Sequence, residues 1–130
     1  MVIDSSAVIA LLGNEPEALD IARAIAHDST RMIAACSALE TSIVLASKYG
    51  DDAVRDMDLL FFKAEIAIVP FARDHYVLAY EGWRRFGKGR HEAALNFGDC
   101  CSYGLSLATG EPLLFKGNDF SKTDVRVAAY

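Results

Sequence analysis

The sequence is poor in cysteine, proline, tryptophan and positive charge. It has three cysteines, three prolines and one tryptophan in 130 residues. Three thiols, two of them adjacent at Cys100 and Cys101, do not make a disulfide framework, and no Cys-x-x-Cys spacing is present to hold zinc. The expectation is a reducing compartment, with all three thiols buried as small apolar side chains. No Pro- or Ser-rich stretch, repeat or low-complexity tract divides the chain, so one domain spanning residues 1–130 is expected. Long uncharged apolar runs are also missing. Asp4 interrupts the apolar opening from Met1 to Leu12, no basic segment precedes it, and nothing approaches the roughly 20 residues that span a bilayer. No membrane association is expected, and the expected location is the cytoplasm. Thirteen basic against 18 acidic side chains give a net charge of -5, which disfavours a protein that coats nucleic acid in general.

What is present is apolar. At 52% hydrophobic residues the chain can bury a core. Short apolar runs occur at Met1-Val2-Ile3, Met32-Ile33-Ala34, Ile66-Ala67-Ile68-Val69 and Leu113-Leu114-Phe115, with a weaker one at Val125-Arg126-Val127. Runs of this kind suit parallel strands buried on both faces. Between them lie helical stripes: Ala18, Ile21, Ala22 and Ile25; Val54, Met57, Phe61 and Ala64; Tyr76, Ala79, Trp83 and Phe86. The alternation predicts an α/β fold, a mostly parallel central sheet of four to five strands with helices on both sides. Ser37-Ala38-Leu39-Glu40 has the spacing of a capping box at a helix start, and Gly50 and Gly110 mark helix ends.

Four carboxylates fall near the carboxyl ends of these strands, where open parallel sheets place their sites. Asp4 follows the first strand, and as a simple alternative it caps the helix of residues 5–12. Glu40 stands in the first turn of the helix after the second strand, unless it only closes the capping box with Ser37. Asp99 opens a helix rich in small residues, so close packing would enclose it and it would need a cation or hydrogen-bond donors. Asp119 lies in the turn after the fourth strand. Two carboxylates about 5 Å apart repel by roughly 3 kcal/mol at an effective dielectric near 20. A divalent ion relieves that repulsion, and oxygen-only ligands select hard ions, Mg²⁺ or Mn²⁺, over zinc. His27, His75 and His91 have no zinc-like spacing and read as surface or internally satisfied residues.

Positive charge is concentrated in one stretch, at Arg84, Arg85, Lys88 and Arg90, followed by His91. Interleaved with Gly87 and Gly89 and flanked by Trp83 and Phe86, it suits the phosphates and bases of single-stranded nucleic acid. The plain alternative is a solvated, flexible loop.

Together these segments resemble a PIN-domain ribonuclease of the VapC type, the toxin half of a bacterial toxin–antitoxin pair. The resemblance runs from Val2-Ile3-Asp4-Ser5-Ser6-Ala7 through Ser37-Ala38-Leu39-Glu40 and Gly87-Lys88-Gly89-Arg90-His91. It continues through Leu95-Asn96-Phe97-Gly98-Asp99-Cys100 and Ser102-Tyr103 to Leu113-Leu114-Phe115-Lys116-Gly117-Asn118-Asp119-Phe120. It implies a three-layer PIN-like domain and a metal-dependent endoribonuclease that cleaves single-stranded segments of structured RNA. It implies that Asp4, Glu40, Asp99 and Asp119 form the acidic quartet, Asp4 and Asp99 foremost as metal ligands, with the Ser6 hydroxyl supporting the pocket. Many relatives carry a further acid where this chain has Gly117 and Asn118, which leaves Asp124 as an alternative fourth acid. The resemblance also implies inhibition by a cognate VapB-like antitoxin, and a homodimer. Two other classes stay open: a phosphoacceptor receiver domain, against which Pro70 after the third strand speaks, and a PIN-like binding module without activity.

Overall fold

The structure, a computed structural model, describes all 130 residues. Four short parallel strands form the sheet: β1 (Val2–Ile3), β2 (Met32–Ala34), β3 (Ala67–Val69) and β4 (Leu113–Leu114), in the order β3-β2-β1-β4. The weak fifth run contributes one parallel bridge, Val127 to Leu113, beside β4. Six helices surround the sheet: α1 (Ser5–Leu12), α2 (Ala18–His27), α3 (Ala35–Tyr49), α4 (Asp51–Lys63), α5 (Arg73–Phe86) and α6 (Phe97–Thr109).

Alternation along the strands splits the core in two. Ile3, Ile33 and Leu114 point into one layer with Val8, Ile21, Ile25, Leu45, Met57 and Phe61 of α1 to α4. Val2, Ala34 and Leu113 point the other way, into a layer with Ala79, Phe86, Tyr103 and Leu105 of α5 and α6. This is the three-layer α/β arrangement expected from the apolar runs.

The chain moves outward from β1 to β2 to β3, then returns to lay β4 on the far side of β1. The crevice beyond β1 and β4 is therefore the switch point of the sheet, the place where such folds bind ligands. Asp4 follows β1 directly, and Asp119 follows β4 by a few residues, in the short 3-10 turn leading to Phe120.

Three local expectations change. The helix after β2 starts at Ala35, capped by Ala34, so Ser37-Ala38-Leu39-Glu40 is not a capping box. Strand β2 passes into α3 without a loop, Ser37 is fully buried, and Glu40 sits in the second turn, free of any capping duty. In α5 the inward face is His75, Ala79, Gly82 and Phe86, while Tyr76 is 58% exposed. A glycine at position 82 lets the Tyr103 ring press against the helix, which rotates the buried stripe by one residue. Cys100 and Cys101 are buried as expected, but Cys36 is only half-buried. His75 is buried, with Nδ1 accepting from Ala72 N at 3.3 Å, and is satisfied within its own helix start.

Candidate active site

Asp4 is 2% exposed and does two things. It caps α1, with Oδ2 accepting from Ser6 N at 2.9 Å and Ser6 Oγ at 2.6 Å. Its other oxygen accepts from Ser102 Oγ at 2.6 Å. Ser102 is fully buried on α6 and also shares a hydrogen bond with Ser37 Oγ of α3 at 3.1 Å. The Ser6 hydroxyl in turn accepts from Lys116 N at 3.0 Å, tying the end of β4 to the aspartate. One buried carboxylate thus gathers α1, α3, α6 and β4, with a donor on each oxygen to hold it in a fixed rotamer.

Asp99 is the third residue of α6 and is locked reciprocally with the cap. Asn96 N donates to Asp99 Oδ2 at 2.8 Å, and Asp99 N donates to Asn96 Oδ1 at 2.9 Å. Burial raises its carboxyl from the usual 3.8 to about 6, and the negative charges of Asp4, Asp119 and Glu40 push in the same direction. The charges of the other three acids thus all bear on Asp99. Glu40 Oε2 accepts from Ser5 Oγ at 3.0 Å, leaving Oε1 unbonded. Asp119 is exposed and caps nothing with its side chain.

None of the four enters an ion pair. Lys116, whose backbone reaches the site, sends its ammonium to Glu15 and to Glu17, the latter at 3.0 Å. The cluster is anionic with no protein cation to balance it. Its all-oxygen donor set fits a hard dication. It is not a closed cage, because no three acidic, histidine or cysteine side chains converge as metal ligands in this arrangement.

Asp124 does not belong to the cluster. It accepts from Tyr103 Oη at 2.8 Å and pairs with Arg85 at 2.7 Å, so its charge is already neutralised.

The basic stretch is exposed at Lys88, Gly89 and Arg90 and is closed at its base by backbone hydrogen bonds. Lys88 N donates to Leu95 O at 3.0 Å and Leu95 N to Phe86 O at 2.9 Å, closing the loop at its base. Arg84 pairs with Glu81 at 3.2 Å and Arg85 with Asp124. Arg90 lies over the Trp83 ring, 4.2 Å from its centroid, and Lys88 has no ion-pair partner. His91 accepts from Ala93 N at 3.1 Å and meets Phe86 edge-on, which makes it part of the loop's internal structure.

The PIN-domain sequence pattern matches residues 1–126. The chain belongs to the PIN-domain family. Among relatives of this PIN domain, a ribonuclease VapC of Mycolicibacterium smegmatis is 46% identical, the alignment covering 96% of this chain and 97% of the relative. Ribonuclease VapC30 of Mycobacterium tuberculosis is 43% identical over 99% of this chain and 98% of its own. Among solved structures, Mycobacterium tuberculosis VapC20, described as a toxin cleaving the sarcin-ricin loop, superposes with a TM-score of 0.80 at 17% identity, covering 99% of this chain and 98% of that one. A toxin–antitoxin complex from Klebsiella pneumoniae gives 0.73 at 15% identity, with 99% and 97% covered. These two structures establish the fold, and the sequence relatives place this PIN domain among VapC-type proteins.

Two contributors escaped the sequence reading. Ser102 was visible only as part of a motif, although it lies three residues after Asp99 and hence on the same helical face. Gly98 was invisible as a packing residue. A Cβ there would stand 2.6 Å from Glu40 Oε1 and closer still to Oε2, so only glycine lets Glu40 approach the start of α6. Gly98→Ala should leave the fold intact, because the clash is with the tip of a flexible side chain, but drive Glu40 out of the cluster. The expected result is an unchanged melting temperature with RNA cleavage reduced on the order of tenfold or more. Unchanged cleavage would mean that Glu40 has no part in the site.

A pH dependence also follows. A carboxyl whose folded value is raised contributes stability that is fully present below its unfolded value near 4 and is lost as pH rises through about 6. Without divalent ions, the melting temperature of the wild type relative to Asp99→Asn should therefore fall between pH 4 and 7. Mg²⁺ should raise the wild-type melting temperature more at pH 7.5 than at pH 5, where protons compete for Asp99. Equal shifts at both pH values would contradict this.

Proposed function

We propose that this chain, acting as one domain over residues 1–130 in the cytoplasm, is a Mg²⁺- or Mn²⁺-dependent endoribonuclease and the toxin of a toxin–antitoxin pair. The observation that carries the proposal is the cluster of Asp4, Glu40, Asp99 and Asp119 beyond β1 and β4, four carboxylates without an ion-pair partner.

Asp4 and Asp99 would hold the ion, with Glu40 and Asp119 completing its shell when RNA arrives. A hard dication held there would lower the pKa of a water molecule and offset charge on the scissile phosphate. The protein's own contribution is positioning. Ser6 and Ser102 fix the orientation of Asp4, Asn96 fixes Asp99, and Ser5 holds one oxygen of Glu40. The Oε1 of Glu40, free of hydrogen bonds, would be available to a water on the ion. In-line attack of water on phosphorus would break the P–O3′ bond, leaving a 5′-phosphate, with the departing 3′-oxygen taking a proton from solvent to become the 3′-hydroxyl. Lys88 and Arg90 bind flanking phosphates, with Arg84 and Arg85, whose pairs are solvent-exposed and easily exchanged, adding to the field. The loop around His91 presents them beside single-stranded segments of a structured RNA.

The solved neighbour described as a toxin–antitoxin complex supports a VapB-like antitoxin as partner. A basic antitoxin side chain entering the anionic cluster would inhibit by replacing the ion. A homodimer is the proposed assembly of the toxin.

The test is incubation of the purified chain with structured RNA in Mg²⁺ or Mn²⁺ and in chelator. Discrete cleavage that stops on chelation supports the reading. Cleavage that survives chelation contradicts the metal, and tight RNA binding with no cleavage in either metal replaces the enzyme with a binding module.

A further inference from the structure

Beside the carboxylate cluster lies a groove the proposed chemistry leaves unused. It occupies about 280 Å³ between α5 and the first turn of α6, and every lining residue is apolar or aromatic. Tyr76, Tyr80 and Trp83 form one wall, and Phe97 and Cys100 the other. Tyr80 and Trp83 stack with centroids 6.1 Å apart and planes 18° from parallel. Arg90 lies against the same Trp83 ring. Phe97 is 79% exposed although it opens a helix whose following residues are buried, and Tyr80 is 53% exposed.

We propose that this groove takes an unstacked base of the substrate RNA, next to the phosphate held at the carboxylates. The inference rests on the ribonuclease reading and adds a binding subsite to it.

Three features of the site select this ligand. The first is continuity: Phe97 and Cys100 wall the groove, and Gly98 between them packs against the Glu40 carboxylate, whose Oε1 a Cβ there would meet at 2.6 Å. The second is charge. Arg90 at the Trp83 end carries no ion pair, nor does nearby Lys88. A ligand that is flat and apolar in one part and anionic in the next satisfies wall and cations together, whereas an apolar protein segment leaves the cations without a partner. The third is size, since the volume lies below the range of about 300–1,000 Å³ typical of drug-sized ligands and suits a single ring system. Stacking on aromatic faces tolerates every base, so the subsite holds a base without reading its edge.

Trp83 is the single tryptophan of the chain, so its fluorescence reports on the groove directly. The experiment titrates the full chain, in chelator so that nothing is cleaved, with a short oligoadenylate, with adenosine 5′-monophosphate and with ribose 5-phosphate. Expected is a change in Trp83 emission with the first two and none with the sugar phosphate. Phe97→Ala and Tyr80→Ala, both at exposed positions, should weaken oligoadenylate binding about tenfold each and, with metal, raise KM more than they lower kcat. The proposal is overturned if ribose 5-phosphate gives the same signal, if Phe97→Ala binds like the wild type, or if the emission tracks protein concentration and ignores RNA, which assigns the groove to a second copy. Retained quenching with no metal-dependent cleavage sinks the ribonuclease reading alone. Retained cleavage with a silent Trp83 sinks the subsite alone.

Discussion

Asp99→Asn should lower RNA cleavage by about 10²–10³-fold, the loss typical of removing one preorganised electrostatic group, and at the same time stabilise the metal-free protein. The two effects have one cause. Asp99 is half-buried, its carboxyl is pushed up to about 6, and the charges of Asp4, Asp119 and Glu40 oppose its ionisation. Asparagine keeps an oxygen that can accept from Asn96 N, so the start of α6 is preserved. It removes the repelled charge, which only a cation turns to advantage. Cleavage assays in Mg²⁺ and thermal melts in chelator, run on the same preparations, check the pair. Loss of activity together with loss of stability would reduce Asp99 to a structural cap.

Gly104→Ala should have the largest effect on stability. Helices α5 and α6 pack at close range, and a Cβ at position 104 would meet His75 O at 2.6 Å, with Ala79 Cβ at 3.0 Å and Ala79 N at 3.1 Å. Two of those atoms are backbone and cannot rotate away, unlike the Glu40 tip opposite Gly98. The helices must separate, and with them the layer holding Tyr103, Phe86 and Leu105. Overpacking of this kind costs about 2–3 kcal/mol, a fall in melting temperature on the order of 10 °C for a domain of this size. Calorimetry or denaturant unfolding reads it directly. A variant as stable as the wild type would show that α5 and α6 tolerate a wider spacing than the glycines imply.

The positions of Asp4 after β1, Glu40 on the helix after β2, Asp99 at the start of α6 and Asp119 after β4 are legible in the sequence because each acid is tied to a strand end or an adjoining helix, and the run pattern locates those. Asp4 does cap α1, the simple alternative, with one oxygen, while its other oxygen accepts from Ser102 of α6, a contact between residues 98 apart that only the tertiary fold supplies. The same reasoning failed at Ser37-Ala38-Leu39-Glu40 because the capping-box spacing is degenerate: it cannot distinguish a helix that starts at Ala35 directly out of β2. Tyr76 was misassigned to the core because the periodicity of α5 fits two neighbouring stripes, and only the glycine at 82 selects between them. The pairing of Arg85 with Asp124, which balances the charge of Asp124, joins residues 39 apart and depends on tertiary placement. The apolar groove beside α6 was illegible for the same reason, its walls coming from two helices.

The central claim is that Asp4 and Asp99 share one hard cation. Crystals of the chain grown with Mn²⁺ and measured for anomalous scattering test it most directly. A manganese peak bridging the Asp4 and Asp99 carboxylates is the predicted result. Manganese bound elsewhere, or no peak where the two side chains are well ordered, would contradict it.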